Sequence, residues 1–196
     1  MKFEDWDKAY REHPIRDLPW ELGRPREVLL EIVGGRLIHG HRALDICCGT
    51  GTNALYLAQQ HFAVTAMDVS ESAIDIARQK AEGSGARIRF LVADWLNLPF
   101  EDKEFDLIFD MGCFHHVEPE NRERFIRGVH RVLADGGWYM LTVFSYRNGP
   151  GPKTFTKAQL ESLWHPPFEI KKVDHFPSLE GDGKTRYFFS LLMQKA

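Results

Sequence analysis

No uninterrupted apolar run in this chain approaches the ~20 residues that a membrane-spanning helix requires, so no membrane partner is expected. An excess of one charge is also missing. Lys and Arg number 25 against 28 Asp and Glu, for a net charge of −3, which leaves no broad basic footprint and no expected nucleic-acid partner. Cysteine is scarce, with 3 among 196 residues, and Cys47 and Cys48 are neighbours. Adjacent cysteines at a strand end are poorly placed for a disulfide framework. Packing is their expected role, and a reducing compartment the expected setting. The N-terminal run Met1-Lys2-Phe3-Glu4-Asp5-Trp6 is charged and aromatic with no apolar signal core, which adds to the expectation of a cytoplasmic protein. Internal repeats and low-complexity linkers are absent too, and 196 residues suit one domain spanning 1–196.

What is present is an alternation of short β-rich runs with longer helical ones. Arg42–Ile46, Ala63–Met67, Arg87–Val92, Phe105–Asp110 and Trp138–Phe144 read as strands. Between them Thr52–Gln60, Ser70–Glu82 and Asn121–Leu133 read as helices, the second capped by Ser70 and the third stopped by Gly136-Gly137. Such alternation predicts a parallel sheet with helices on both faces. The end of the chain breaks the pattern. After a short helix over Thr156–Trp164, two strand-like runs, Phe168–Phe176 and Arg186–Lys195, are joined through Gly181-Asp182-Gly183. So short a connection joins antiparallel neighbours only. The expected fold is therefore α/β: a Rossmann-like, mostly parallel seven-stranded sheet with a C-terminal antiparallel hairpin. Residues 1–40, rich in Trp, Pro and Arg, are expected as an N-terminal extension over the top edge of the sheet, covering the site there.

The first strand runs into Asp45-Ile46-Cys47-Cys48-Gly49-Thr50-Gly51 and then directly into a helix. Glycines at that turn let a nucleotide lie close against the main chain. The spacing Gly49-x-Gly51-x-x-Ala54, with Asp68 downstream, also satisfies a dinucleotide fingerprint. Taken alone, the loop leaves open an NAD-dependent oxidoreductase or a non-catalytic cofactor-binding module. Acids at strand ends separate these readings. Asp45 would repel a pyrophosphate and attract the ammonium of a methionine group. Asp68, followed by Val69, closes the second strand, where a carboxylate accepts from both hydroxyls of a ribose. Asp94-Trp95 closes the third, offering an acceptor to an adenine amine and an indole to stack on the ring. Asp110 closes the fourth, beside the group to be transferred. Carboxylates at four successive strand ends suit a cationic cofactor better than an anionic one.

Together these residues resemble the class I S-adenosylmethionine-dependent methyltransferases, over about residues 40–196. The resemblance implies S-adenosylmethionine as cofactor, S-adenosylhomocysteine as its product, and Cys47, Gly49 and Gly51 in the cofactor turn. One departure is visible, because Cys47 stands where the first of three glycines is usual. Two further segments are similar to the thiopurine and tellurite-resistance methyltransferase branch. One is Trp6-Asp7-x-x-Tyr10 with Pro19-Trp20-Glu21-Leu22-Gly23-Arg24-Pro25; the other is Ser145-Tyr146-Arg147-Asn148-Gly149-Pro150-Gly151-Pro152 with Phe155. That likeness implies Trp20 near the methionine end of the cofactor, and Tyr146 and Phe155 near the acceptor. Asp110-Met111-Gly112 lacks the Arg that commonly follows the acid in the thiopurine branch, which speaks against an anionic or thiopurine-like acceptor.

The run Met111-Gly112-Cys113-Phe114-His115-His116 follows the fourth strand, at the end where transfer takes place. Met111 and Cys113 are candidate acceptor contacts. His115 and His116 are candidate bases or orienting groups, since imidazole exchanges protons near neutral pH; the alternative is a hydrogen bond within the loop. Cys113, His115 and His116 match no closed zinc site, so no metal is expected. Transfer from a sulfonium is an in-line displacement, for which a thiolate needs little activation. The expected activity is methyl transfer to a small-molecule thiol or comparable soft nucleophile, with an N- or O-methyl acceptor as the alternative.

Overall fold

The computed structural model describes residues 3–35, 38 and 40–196. Its strands are β1 (Arg42–Ile46), β2 (Ala63–Asp68), β3 (Ile88–Val92), β4 (Phe105–Met111), β5 (Leu133–Phe144), β6 (Phe168–Leu179) and β7 (Thr185–Lys195). They form one sheet in the order β3-β2-β1-β4-β5-β7-β6. β1 to β5 run parallel, and β7 lies antiparallel to both β5 and β6. The expected sheet and its terminal hairpin are both present. Strand order reverses beside β1, so the chain leaves β1 and β4 in opposite directions, and a crevice opens at their carboxyl ends.

Helices α1 (Phe3–Glu12), α2 (Glu27–Gly34), α3 (Thr52–Gln59), α4 (Glu71–Ser84), α5 (Arg122–Val132) and α6 (Lys157–Trp164) accompany the sheet. Local chemistry sets several of their ends. The Ser70 hydroxyl accepts from the Ala73 N–H at 3.0 Å to start α4, and Thr156 with Gln159 forms a capping box on α6. Successive strand residues pack into opposite layers. Leu44, Ile46 and Ile108 join Phe125, Tyr139 and Trp164 on one face, while Ala43, Leu107 and Phe109 join Leu57, Ile74 and Met140 on the other. Burial on both faces is what the near-continuous apolar strands demand.

Three features depart from the sequence reading. Helix α5 ends at Val132 without help from Gly136-Gly137, because β5 begins at Leu133 and contains both glycines. Their place is a bulge, where the β4–β5 register shifts between Phe105 and Leu107. A Cβ on Gly137 would lie 2.8 Å from the Ala134 carbonyl oxygen, so a side chain is excluded. Second, the N-terminal segment contains helices α1 and α2. Asp7 on α1 accepts from the Ser70 hydroxyl and the Ser72 N–H, each at 2.9 Å, at the positive end of α4. Third, Cys47 is joined to Cys113 by a disulfide, their Cα atoms 5.7 Å apart. Adjacency argued against a bridge between Cys47 and Cys48, but the partner lies 66 positions away, brought near because β1 and β4 are neighbours. Cys48 keeps the packing role, as a free, buried thiol. Among the described residues, no helix is long and apolar enough to cross a membrane.

Candidate functional site

A cavity opens at the carboxyl ends of β1, β2 and β4, roofed by the N-terminal segment. Its first half is built by the turn after β1 and the end of β2. Cys47, Gly49, Asp68, Val69 and Trp95 line it. The Asp68 carboxylate accepts from the Gly49 N–H at 2.9 Å and the Ser70 N–H at 3.0 Å. Burial nevertheless pushes its pKa up to about 6, since the donors offset only part of the lost hydration.

The other acids proposed from sequence stand elsewhere. Asp45 is 1% exposed and does not reach the cavity wall. Its Oδ2 has no partner among the described residues, and burial, reinforced by the charges of Asp68 and Asp110, raises its pKa well above the usual carboxylate range. Asp94 closes its own turn by accepting from the Leu96 N–H and the Asn97 amide. Asp110 is wholly buried. It accepts from the Cys113 N–H at 2.7 Å, the Phe114 N–H at 3.3 Å and the Tyr139 hydroxyl at 2.9 Å. Burial pushes its pKa up to about 7. Its work in this structure is to shape the turn that carries Cys113, His115 and His116. Gly51 is also outside the lining; its φ is +75° and a Cβ there would sit 2.9 Å from that of Ala77, so it permits the packing of α4.

The second half is aromatic. Met111, Cys113, His115 and His116 meet Trp6, Trp20, Phe144 and Phe188 there. His115 stacks on Phe144 with ring centroids 4.0 Å apart, and its Nδ1 accepts from the Phe144 N–H at 3.3 Å. His116 meets Trp6 edge to face at 4.7 Å, and the Lys153 Nζ lies 3.3 Å from its Nδ1. Burial lowers both imidazoles, His115 far below the usual histidine range and His116 to about 3, with the Lys153 ammonium adding to the effect. Both rings are neutral at neutral pH. With each Nδ1 acting as the acceptor, the proton resides on Nε2 in each ring. Tyr146 and Phe155 are not brought in: Tyr146 is 52% exposed and faces His175, while Phe155 packs in the core against Phe114.

Sequence reasoning missed most of the roof. The Trp20 indole N–H donates to the Tyr10 hydroxyl at 2.8 Å, which donates to Glu21 at 3.2 Å. Glu21 in turn accepts from the Thr50 N–H at 3.2 Å and its hydroxyl at 2.7 Å, tying the roof to the cofactor turn. Arg26 forms a bidentate pair with Glu180, at 2.8 and 3.0 Å, and donates to the Trp20 carbonyl. Trp6 and Tyr10 at i, i+4 spacing were a usable signal for one helix face. Glu180 carries no local signal, because its partner is 154 residues distant.

Residues 43–137 match the methyltransferase domain family. The 2-heptyl-1-hydroxyquinolin-4(1H)-one methyltransferase of Mycobacteroides abscessus is 31% identical over 167 residues, covering 81% of this chain and 73% of that protein. A SAM-dependent methyltransferase structure from Methanosarcina mazei superposes with a TM-score of 0.73 at 26% identity, covering 84% of this chain and 96% of that one. The Burkholderia thailandensis 1,6-didemethyltoxoflavin-N1-methyltransferase, bound to 1,6-didemethyltoxoflavin and S-adenosylhomocysteine, superposes with a TM-score of 0.78 at 21% identity, covering 99% and 87%. The chain belongs to the methyltransferase domain family and is an S-adenosylmethionine-dependent enzyme, which sets aside the NAD reading.

Proposed function

We propose that the enzyme methylates an ionisable O–H or N–H of a small planar aromatic molecule. The observation that carries this reading is the aromatic half of the cavity, with two neutral histidines in its wall. The residues present fit an S-adenosyl group in the other half. Asp68 would offer a cavity-facing carboxylate to the ribose, and Trp95 a ring face to the adenine. Bound there, the cofactor supplies an electrophilic methyl group on sulfur.

The rest of the task belongs to this chain's side chains. Trp6, Trp20, Phe144 and Phe188 sandwich a flat acceptor and exclude water. His116 donates from Nε2–H to the acceptor's heteroatom and fixes its direction. The Trp6 indole N–H, buried and without a partner among the described residues, is a second donor on the same wall. Oxygen and nitrogen accept such bonds well and sulfur weakly, which favours an O- or N-acceptor over the thiol suggested by the sequence. A donor-lined site does not take the acceptor's proton, so the acceptor is one acidic enough to ionise in water near neutral pH. The Mycobacteroides relative, named for a hydroxyquinolinone, is in keeping with that class.

The test is a panel assay with a radiolabelled methyl donor, comparing hydroxyquinolines, N–H heteroaromatics and small thiols. Turnover of the heteroaromatics is expected. Turnover confined to thiols would overturn the reading.

A further inference from the structure

We propose that Cys47 and Cys113 are a reversible thiol–disulfide modification site inside the methyl-donor cavity, which a low-molecular-weight disulfide oxidises and so weakens cofactor binding. The inference rests on the function proposed above, through the placing of the cofactor against the turn that carries Cys47. Both cysteines line the cavity, one on the cofactor turn and one on the turn that carries the histidines. Their Cα separation of 5.7 Å is one that a disulfide spans, and it follows from the adjacency of β1 and β4, so the sheet need not move to form the bond. Cys47 adopts φ +56°, a conformation that disfavours any side chain, where the related turn carries glycine. A thiol held there at a backbone cost has a position that packing alone does not require. Cys48 also borders the cavity, but its side chain packs into the opposite layer and its thiol donates to the Gly49 carbonyl, while burial and the charges of Asp45 and Asp68 hold it protonated, so it is the poorer nucleophile.

Access decides the order of events. Cys47 is partly exposed through the cavity, whereas Cys113 is 3% exposed. The Cys47 thiol gives its proton to water, and the thiolate attacks one sulfur of the small disulfide. That S–S bond breaks, the first small thiolate leaves and takes up a proton, and Cys47 is held as a mixed disulfide. Cys113, after losing its own proton to water, attacks the Cys47 Sγ and expels the second small thiolate, which is protonated in turn. Two protein thiols are oxidised to one disulfide, and one small disulfide is reduced to two thiols. The bond ties the cofactor turn to the His115-His116 turn across the boundary where donor and acceptor meet. The dithiol leaves each turn free to adjust to its own ligand.

The experiment uses the full chain, treated with excess dithiothreitol or with oxidised glutathione. Thiols are mapped by alkylation and mass spectrometry, and S-adenosylhomocysteine binding is read by calorimetry. The bonded protein is expected to bind at least ten-fold more weakly than the reduced protein, with recovery on reduction. Cys47→Ser, compared with its own untreated sample, is expected to show no response to the oxidant, whereas Cys113→Ser is expected to stop at the mixed disulfide on Cys47, which reduction removes. Equal binding by the reduced protein and by protein mapped as bonded would overturn the proposal, as would cysteines that both stay alkylatable after oxidation. Absence of binding in both states would instead overturn the cofactor placement on which the inference stands.

Discussion

Removing one partner of the Arg26–Glu180 pair tests how the roof is held over the cavity. Their side chains are 9% and 3% exposed, and the guanidinium meets the carboxylate through two bonds at 2.8 and 3.0 Å. Glu180→Gln preserves shape and removes the charge. Arg26 is then left as a buried cation with the Trp20 carbonyl, at 3.0 Å, as its remaining strong acceptor. Breaking a buried pair in this way costs about 3–5 kcal/mol, and in a chain of this size each kcal/mol is worth roughly 2–4 °C in Tm. A fall of about 6–20 °C in thermal melting by circular dichroism is expected if the pair is part of the cooperative fold. The alternative route for the stranded cation is local: the roof lifts and Arg26 finds water. Trypsin would then cut at Arg16 or Arg26 faster than in the wild type, with little change in Tm. The double variant Arg26→Met with Glu180→Leu removes both charges, and it is expected to be more stable than either single variant. Single variants that melt within about 2 °C of wild type and resist trypsin equally would refute the argument, because a buried charge without a partner has no third way to be harmless.

Asp68→Ala is expected to weaken S-adenosylhomocysteine binding by roughly 1.5–3 kcal/mol, or about 10- to 150-fold, as for a lost charge-assisted site; unchanged affinity in calorimetry would show the ribose lies elsewhere. His116→Gln keeps an N–H donor but no base, so it should retain most turnover while His116→Ala loses it, and equal loss in both would restore the base reading. The buried histidine also sets a pH dependence. Its pKa is about 3 in the folded protein, against ~6.5 when unfolded, so the unfolded chain binds the extra proton between those values. Its contribution is present above pH ~6.5 and is lost as pH falls towards 3, with a slope of at most about 1.4 kcal/mol per pH unit. Asp68 and Asp110 have the opposite sign, their raised values of about 6 and about 7 favouring the fold most in acid. Urea titrations should therefore show the advantage of wild type over His116→Gln shrinking from pH 7 to pH 4, and a constant difference would refute it.

The inner strands of the sheet were legible because each is largely a run of buried residues bounded by acids, glycines or turns, whereas the edge strands β3 and β6 are mostly half-buried or exposed and were read from their β-rich composition. Arg42–Ile46 reads the same from either direction. The end of α5 was not legible in the same way. Gly136-Gly137 looks like a helix stop, yet glycine pairs serve bulges equally well, and only the register with β4 distinguishes the two. Helices α1 and α2 escaped notice because the segment's Trp, Pro and Arg content resembles a covering loop. Their faces become intelligible only against α4, whose first turn receives Asp7. The disulfide was hidden for a related reason. Spacing along the chain said nothing about Cys47 and Cys113, whose nearness follows from the strand order.

Strand register also explains why one of the four strand-end acids faces the cavity. Asp45 pairs with Ala66 of β2 and Phe109 of β4, and the next step brings Ile46 level with Met67 and Asp110. One step further along lie Cys47, Asp68 and Met111, and all three line the cavity. At about 3.3 Å per residue, Asp45 sits nearly 7 Å below that rim and Asp110 one residue below it. An acid at the rim can exchange hydration for a ligand. An acid one or two steps deeper must be satisfied by its own turn, as Asp110 is by Cys113, Phe114 and Tyr139, or be left short of a partner, as Asp45 is. In β3 the step beyond the rim passes Val92, the register partner of Asp68, and the chain bends so that Trp95 rather than Asp94 meets the cavity. Four acids in similar local sequence therefore divide by depth, and depth depends on which residue of a neighbouring strand each one pairs beside.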